Sequence, residues 1–214
     1  MLEARLNQNE VIHSYTGKAG IYDVWAALTE SKARKRALAA AAPQNGESIL
    51  EVAVGTGLMF RELVSRNSEG KTYGIDLTPA MLNKATARLA DYTDYDIDLR
   101  VGNAKQLDFD DAQFDLLVNN YMFDLLPEND FLTVLNEFRR VLKPNGRLLL
   151  VNMAQKQKWT QGFWELVYRM NPNWMGGCRG VSMYSYMQRA GFKSIQHQRV
   201  IQFGFPSEIL LAWK

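Results

Sequence analysis

The segment Ile49–Gly57, with the sequence ILEVAVGTG, constrains the fold of this chain more than any other. Its mostly apolar residues predict a buried β-strand, and Gly55 and Gly57 predict a tight turn in which the backbone can lie close to a ligand. We expect a helix directly after the turn, over 58–66. A helix start presents free N–H groups, so this arrangement predicts a ligand site at the carboxyl end of a parallel sheet.

Two carboxylates near this turn narrow the kind of ligand. Asp76 ends a second apolar strand, nineteen residues after Gly57, and can accept hydrogen bonds from both hydroxyls of a ribose. Glu51 lies in the first strand, where it would repel a pyrophosphate but suit a cationic amine or sulfonium. The pair therefore predicts an adenosine cofactor that carries positive charge, such as S-adenosylmethionine.

Strands and helices alternate from residue 46 to residue 153. Strands are predicted at 48–54, 71–76, 96–101, 114–119 and 146–153, and helices at 58–66, 79–91 and 129–142. Lys143–Gly146 predicts a helix stop and a turn. Such alternation predicts a parallel sheet with helices on both faces.

The last third of the chain follows another pattern. Helices are predicted at 160–170 and 181–190, and two strands at 193–203 and 208–213. The short connection between these strands predicts an antiparallel hairpin. We expect an α/β, Rossmann-like, doubly wound sheet with an antiparallel last strand, preceded by an N-terminal helical lid.

The composition is that of an ordinary globular protein. The chain has 214 residues, 47% hydrophobic and 22% charged, which predicts a single domain. Its net charge of +2 argues against a nucleic-acid partner, and its single cysteine, Cys178, excludes a metal site built on several thiolates. We see neither a signal pattern nor an apolar run long enough to span a membrane, so we expect a cytoplasmic protein. Transient contact with a membrane surface stays open, as does the oligomeric state.

Five segments in order resemble the class I S-adenosylmethionine-dependent methyltransferases, in particular the branch that methylates quinones and phospholipids. The segments are 51–57 (EVAVGTG), 74–82 (GIDLTPAML), 102–110 (GNAKQLDFD), 114–119 (FDLLVN) and 142–148 (LKPNGRL). The resemblance implies a seven-stranded sheet with an antiparallel last strand. It also implies a lid over 1–45, a cofactor-binding core over 46–153, a substrate-covering insertion over 154–191 and a terminal hairpin over 192–214.

The same resemblance implies which residues bind S-adenosylmethionine. Glu51 would lie near the methionine amino group, Asp76 would bind the ribose, and Asn119 would face the methionine end through its carbonyl. The remaining cofactor candidates are Tyr22, Ala53, Gly55, Thr56, Gly57, Leu77, Met81, Asn103 and Ala104. For Leu77 and Met81, packing in the core is an equal alternative.

Two positions depart from the family pattern. Ala53 stands where glycine is usual, which narrows the turn. Asn103 stands where aspartate is usual, although an amide carbonyl can still accept the adenine amine.

The acceptor side is less specified. Tyr15, Tyr121 and Asp124 are the catalytic candidates, and Trp25, Arg179 and Tyr184 are the substrate-binding candidates. The structural alternatives are a buried stripe for Trp25, helix capping for Asp124 and a salt bridge for Arg179.

We expect methyl transfer to a small, partly apolar acceptor. A lipid- or quinone-like acceptor is the first choice, and a small aromatic or amine the second. The alternatives are a non-catalytic cofactor-binding protein of the same fold and a nicotinamide-dependent oxidoreductase.

Overall fold

A seven-stranded sheet with the strand order β3-β2-β1-β4-β5-β7-β6 forms the centre of the protein. The computed structural model describes residues 28–155 and 179–214. The strands are β1 (Ser48–Val52), β2 (Lys71–Asp76), β3 (Asp96–Val101), β4 (Phe114–Asn120), β5 (Leu142–Met153), β6 (Lys193–Gln202) and β7 (Phe205–Trp213). The helices are α1 (Ser31–Ala41), α2 (Leu58–Val64), α3 (Pro79–Arg88), α4 (Phe131–Val141) and α5 (Tyr184–Arg189), with a 3-10 turn at Glu128–Asp130.

Strands β1 to β5 are parallel, and β7 runs antiparallel to both β5 and β6. The predicted Rossmann-like sheet with an antiparallel last strand is therefore confirmed. Because β5 and β6 are both antiparallel to β7, β6 runs in the same direction as the parallel strands. The end of β6 thus lies at the same end of the sheet as the ends of β1, β2 and β4, which we call the carboxyl end.

Both faces of the sheet are buried by helices. On one face, Leu50, Leu117 and Leu148 belong to the apolar core that includes the buried stripe of α4. On the opposite face, Ile49 and Leu116 pack in the core that contains the alanines of α1. Helices on both faces explain why the central strands are nearly continuous apolar runs rather than alternating ones.

Most helices and several strands begin or end a few residues away from the predicted positions, and two of these differences change the sheet. The predicted turn at Lys143–Gly146 is part of β5, which starts at Leu142 and pairs with β4 through a register shift. Asn145 has a left-handed φ of 65°, so the strand bends where the sequence predicts a turn. The last strand begins at Phe205 rather than at residue 208, because Phe203 and Gly204 alone form the hairpin turn.

No helix within residues 28–155 and 179–214 is both long enough and apolar enough to cross a membrane. The predicted helix at 160–170 and most of the predicted lid lie outside the described residues.

Candidate active site

The turn after β1 has three residues with left-handed backbone. Gly55 has a φ of 57° and Gly57 a φ of 82°, conformations that glycine adopts without steric cost. A Cβ on Gly57 would lie 2.9 Å from the Cα of Ala85, so this glycine also lets α2 and α3 approach each other. Ala53 has a φ of 62°, which is strained for a residue with a side chain. An alanine at position 53 therefore costs backbone strain, besides the narrowing of the turn that the sequence predicts.

Asp76 connects the ends of β1 and β2. Its Oδ2 accepts the Gly55 N–H at 2.8 Å, and its Oδ1 accepts the Thr78 N–H at 2.8 Å. Burial raises the pKa of this carboxyl, and the backbone hydrogen bonds from Thr78 and Gly55 oppose that rise. The Thr78 side chain and the Leu77 N–H also bond to this carboxylate, which thus holds the glycine turn in shape.

Glu51 is a buried carboxyl at the carboxyl end of β1, with 1% of its surface exposed. Its Oε1 accepts a hydrogen bond of 3.2 Å from the amide of Asn120. Its Oε2 is buried and has no hydrogen-bond partner among the described parts of the chain. Burial raises the pKa of Glu51 well above the ordinary value of 4.5, and the negative charge of Asp76 raises it further. The Asn120 hydrogen bond and the positive charge of Arg34 lower this pKa, but by less than burial raises it. An unsatisfied buried carboxyl of this kind is suited to a cationic group.

A pocket opens beside Glu51. Its walls come from α1, the glycine turn and the end of β4, and the residues are Glu30, Arg34, Glu51, Ala53, Val54, Gly55, Thr56, Leu58, Met59, Asn120 and Tyr121. The pocket therefore has two acidic side chains and one guanidinium near each other, which can match an amino acid's ammonium and carboxylate.

Arg34, Glu30 and Asn120 are site residues that the sequence did not indicate. Arg34 belongs to a run of basic residues that is typical of a solvated helix face. Glu30, just before α1, and Arg34 are four residues apart, so a helix places them on one side. This spacing was the only feature of the sequence that could have indicated that both line one pocket. Asn120 follows the predicted Asn119 directly, but its contact with Glu51 depends on the pairing of β1 with β4.

Asn119 is fully buried, and its side-chain Nδ2 donates to the carbonyl of Val52 at 2.8 Å. Its Oδ1 is buried with no hydrogen-bond partner in the described segments. The side chain thus joins β4 to the end of β1.

Tyr121 follows β4 with a left-handed φ of 49° and lines the pocket. Its hydroxyl lies 2.7 Å from Oγ of Ser207 in β7, and its N–H donates to the Val151 carbonyl at 2.6 Å. Strained backbone at a non-glycine residue occurs often at functional sites, where neighbouring structure enforces it. At Tyr121, the contact of its hydroxyl with Ser207 and the hydrogen bond of its N–H to Val151 enforce the left-handed backbone.

The adenine-side candidates are spread along the ends of β2 and β3. Met81 is 2% exposed, and Leu77 and Ala104 are half-buried. Asn103 is exposed, and its Oδ1 accepts the Lys105 N–H at 3.0 Å. Thr56 is buried, and its carbonyl accepts a hydrogen bond from Arg88. The cofactor roles of these residues stay predictions.

Asp124 and Arg179 are both buried, at 0% and 1% exposure. Oδ2 of Asp124 accepts the Met153 N–H at 3.2 Å. The Arg179 guanidinium donates to the carbonyls of Phe123, Asp124 and Leu126, at 3.3, 2.9 and 2.7 Å. Arg179 therefore binds the loop after β4 through backbone carbonyls, and the predicted alternatives of a substrate anion and a salt bridge stay predictions.

A second buried carboxyl, Glu208, lies in β7. Its Oε1 is 3.2 Å from Nε2 of His197 and its Oε2 accepts the Met183 N–H at 3.1 Å. Burial raises the pKa of Glu208, against the Met183 hydrogen bond and the neighbouring His197 and Arg199. Tyr184, 38% exposed, lies with its ring centre 6.4 Å from that of His197. Tyr15, Tyr22 and Trp25 lie outside the described residues.

Residues 49–146 match the family model of a methyltransferase domain. The chain is 31% identical to the demethylmenaquinone methyltransferase of Lactococcus lactis over 155 residues, which cover 70% of this chain and 61% of that protein. It is 29% identical to the arsenite methyltransferase of Halobacterium salinarum over 75% of this chain and 40% of that protein. The chain therefore spans less than two thirds of the length of each of these relatives.

Among solved structures, the fold resembles that of a methyltransferase from Haloferax volcanii in complex with the activator Trm112. The TM-score is 0.76 at 18% identity, with 95% of this chain and 96% of that chain covered. An α/β sheet of this order, with a carboxylate and a glycine turn at its carboxyl end, defines a class I methyltransferase fold. Over residues 49–146 the chain is thus similar to methyltransferase domains, and the fold around this part is that of the methyltransferases. A further structural neighbour, a phosphoethanolamine N-methyltransferase of Haemonchus contortus, was solved with S-adenosyl-L-methionine, the cofactor that the sequence predicts here; its TM-score is 0.67 at 16% identity, with 86% of this chain and 52% of that chain covered.

Proposed function

We propose that the protein transfers a methyl group from S-adenosylmethionine to a small, partly apolar acceptor. The observation that carries this proposal is Glu51, a buried carboxyl with an unsatisfied oxygen in the pocket beside the glycine turn. A nicotinamide dinucleotide would bring a pyrophosphate to this end of the sheet, where the carboxyl would repel it.

The residues present fit the proposed cofactor. Glu51 would accept the methionine ammonium through Oε2, and Arg34 in the same pocket would bind the methionine carboxylate. Asp76 would accept hydrogen bonds from the ribose hydroxyls. The remaining candidates, including Tyr22, Asn103 and Ala104, would surround the rest of the cofactor.

When bound, S-adenosylmethionine supplies an electrophilic methyl group on a sulfonium. The chain's own task is to position an acceptor and to exclude water. Tyr121 lines the pocket and would orient an acceptor hydroxyl by a hydrogen bond to its own hydroxyl or, as the phenolate, accept the acceptor's proton. Asp124 and Tyr15 remain further candidates for a base, and Trp25, Arg179 and Tyr184 for acceptor binding.

Two observations favour a quinone- or lipid-like acceptor. The named function of the Lactococcus relative is methylation of a demethylmenaquinone. Arsenite methylation, the named function of the Halobacterium relative, is disfavoured because thiolates are the ligands that bind trivalent arsenic and this chain has one cysteine. A small aromatic or amine acceptor is the second choice. We further propose one domain, with residues 1–45 as a lid and 154–191 as the acceptor cover.

The rival with a specific basis is a protein that keeps the fold and the cofactor but performs no transfer, since a fold alone does not determine chemistry. Calorimetric titration with S-adenosylhomocysteine and NAD, followed by transfer of labelled methyl to a short-chain demethylmenaquinone, arsenite and a catechol, separates these cases. We expect S-adenosylhomocysteine binding and labelled quinone. Binding of NAD alone would overturn the proposal, and cofactor binding without transfer to any acceptor would favour the rival.

A further inference from the structure

Exposed apolar side chains gather at one corner of the protein. Leu28 is 53% exposed, Ile201 is 47% exposed and Phe203 is 79% exposed. These three residues, which we call the apolar corner, are three of the five large hydrophobic residues exposed within residues 28–155 and 179–214. The other two, Val101 and Tyr184, lie elsewhere, so the exposure is concentrated.

Gln202 holds the corner together. Its Nε2 donates to the Leu28 carbonyl at 2.8 Å, and its Oε1 accepts the Lys32 N–H at 2.7 Å. The end of β6 is therefore attached to the start of α1. Leu28 lies beside Gln202 on the α1 side of the sheet, whereas Ile201 extends from the other face of β6, since side chains alternate along a strand; the corner is thus exposed on both faces of the sheet edge.

Phe203 contributes little to the fold that would explain its presence. It occupies a hairpin turn with a φ of 47°, a conformation that favours asparagine or glycine. A large aromatic side chain that is four-fifths exposed at a strained position is explained better by a contact outside the molecule.

The surface of α1 next to the corner is basic. Lys32, Lys35 and Arg36 are exposed at helical spacing and form what we call the basic face. The only acidic residue in 28–42 is Glu30, which is 7% exposed, and 193–204 contains none. A chain with a net charge of only +2 thus concentrates positive charge beside its apolar corner.

The corner lies at the carboxyl end of the sheet. Gln202 ends β6, which runs in the direction of the parallel strands, so Phe203 lies at the end where Glu51 and Asn120 form the pocket. Glu30 and Arg34, on the same helix as the basic face, line that pocket. A surface that touched the corner would face the entrance side of the site.

We propose that the apolar corner and the basic face dock the protein on an anionic lipid bilayer, with the carboxyl end of the sheet towards the bilayer. Apolar side chains inserted between headgroups and cations attracted by anionic lipids act together, and neither suffices for firm binding alone. The inference rests on the proposed function, because a quinone-like acceptor is dissolved in the bilayer. Docking would then place the site beside its acceptor.

Vesicle sedimentation tests the apolar part. Wild-type protein should sediment with vesicles containing about one third phosphatidylglycerol, and roughly tenfold less with pure phosphatidylcholine. The double variant Phe203→Ser with Ile201→Ser should lose about tenfold in partition to the anionic vesicles. Val101→Ser is the control for position, since Val101 is 57% exposed at the same end of the sheet but at the end of β3, on the opposite edge from the apolar corner. It should bind as wild type does.

Charge neutralisation tests the basic face. Lys32→Gln with Lys35→Gln should weaken anionic-vesicle binding several-fold, and added salt should weaken wild-type binding. The control pair Arg66→Gln with Lys71→Gln removes two cations from the opposite end of the sheet and should leave vesicle binding unchanged.

Four results would overturn the inference. They are no binding of wild type to anionic vesicles, unchanged binding of the Phe203 and Ile201 variant, a wild-type dimer that this variant makes monomeric, and binding to a DNA duplex in place of vesicles. Thermal unfolding and S-adenosylhomocysteine titration of each variant show that it is folded. If the wild type does not bind vesicles but transfers methyl groups in detergent, docking is refuted and the proposed function is not. If the wild type binds vesicles but does not bind S-adenosylhomocysteine, the proposed function is refuted and docking is not.

Discussion

The carboxylate of Asp76 accepts the backbone N–H of Gly55 at 2.8 Å. These two residues come from the end of β2 and from the turn after β1, so one side chain sets the shape of the glycine turn from the neighbouring strand. The group proposed to bind the ribose is therefore also part of the structure that forms the site. Substitution at Asp76 should affect both stability and cofactor binding.

Asp76→Ala should lower the free energy of unfolding by about 2 kcal/mol, because two N–H groups lose a charged acceptor. It should also weaken S-adenosylhomocysteine binding by roughly tenfold or more, since each lost hydrogen bond to a charged group is worth about that factor. Chemical denaturation and calorimetry measure the two effects. Asp115→Ala is the matched control: Asp115 accepts the Ser48 N–H at 2.9 Å near the start of β4. It should lose stability without losing cofactor affinity, and equal affinity loss in both variants would refute the ribose assignment.

Glu51→Gln should alter the pH dependence of stability. Burial raises the pKa of Glu51 above its ordinary value of 4.5, so ionising it costs more in the folded than in the unfolded chain. The wild type gains this contribution at low pH and loses it as the pH rises from 4.5 through the folded-state pKa. The melting temperature of Glu51→Gln relative to wild type should therefore increase with pH above 4.5.

Cofactor binding should show the opposite effect of the same substitution. A cationic amine favours the ionised carboxylate, so wild-type affinity for S-adenosylhomocysteine should rise with pH through that window, and Glu51→Gln should bind more weakly with a flatter profile. Glu62→Gln, an exposed carboxyl on α2, is the control. Parallel pH profiles for wild type and Glu51→Gln would contradict the prediction.

Ala53→Gly should stabilise the protein by about 0.5–1 kcal/mol, because the left-handed φ of 62° costs alanine more than glycine. Ala39→Gly, at an exposed position of α1, should destabilise by about 1 kcal/mol, since a helix disfavours glycine. Denaturant midpoints of the two variants should thus move in opposite directions. A loss of stability in Ala53→Gly would show that the Ala53 side chain contributes packing that outweighs its strain.

Tyr121→Phe should lower kcat for a short-chain demethylmenaquinone by about tenfold if its hydroxyl orients or deprotonates the acceptor. The hydroxyl also contacts Ser207 at 2.7 Å, so Ser207→Ala is the informative comparison. It removes the same structural contact and leaves the phenol in place. Equal losses of kcat in the two variants would assign Tyr121 to positioning of the loop.

Arg179→Lys should reduce stability by about 2–3 kcal/mol, because an ammonium cannot reproduce the planar fork that binds three carbonyls. Arg189→Lys, at an exposed position of α5, should change stability little. Thermal unfolding compares them. If Arg179→Lys were as stable as wild type and only raised KM, the role in acceptor binding would be supported instead.

Much of the fold follows from local sequence signals. Apolar runs such as Leu148–Val151 are buried on both faces of the sheet, and turn residues separate such runs from amphipathic helices, so the parallel sheet was predictable. The glycine turn and the carboxylates Glu51 and Asp76 were predictable for the same reason: each lies at the end of a strand, and the carboxyl ends of parallel strands meet. The bend at Asn145 was not predictable, because the strand continues through this local turn only where Leu142 and Arg147, on either side of it, pair with β4.

Tertiary structure alone decided how the site is completed. Asn120 reaches Glu51 across 69 positions of sequence, and Tyr121 reaches Ser207 across 86. Arg34 lines the pocket because α1 packs on one face of the sheet. The sequence by itself determined the class of fold, the glycine turn and its two carboxylates, since these depend on neighbouring residues. The partners of those carboxylates depend on strand order and helix packing, which bring together residues that no local pattern relates.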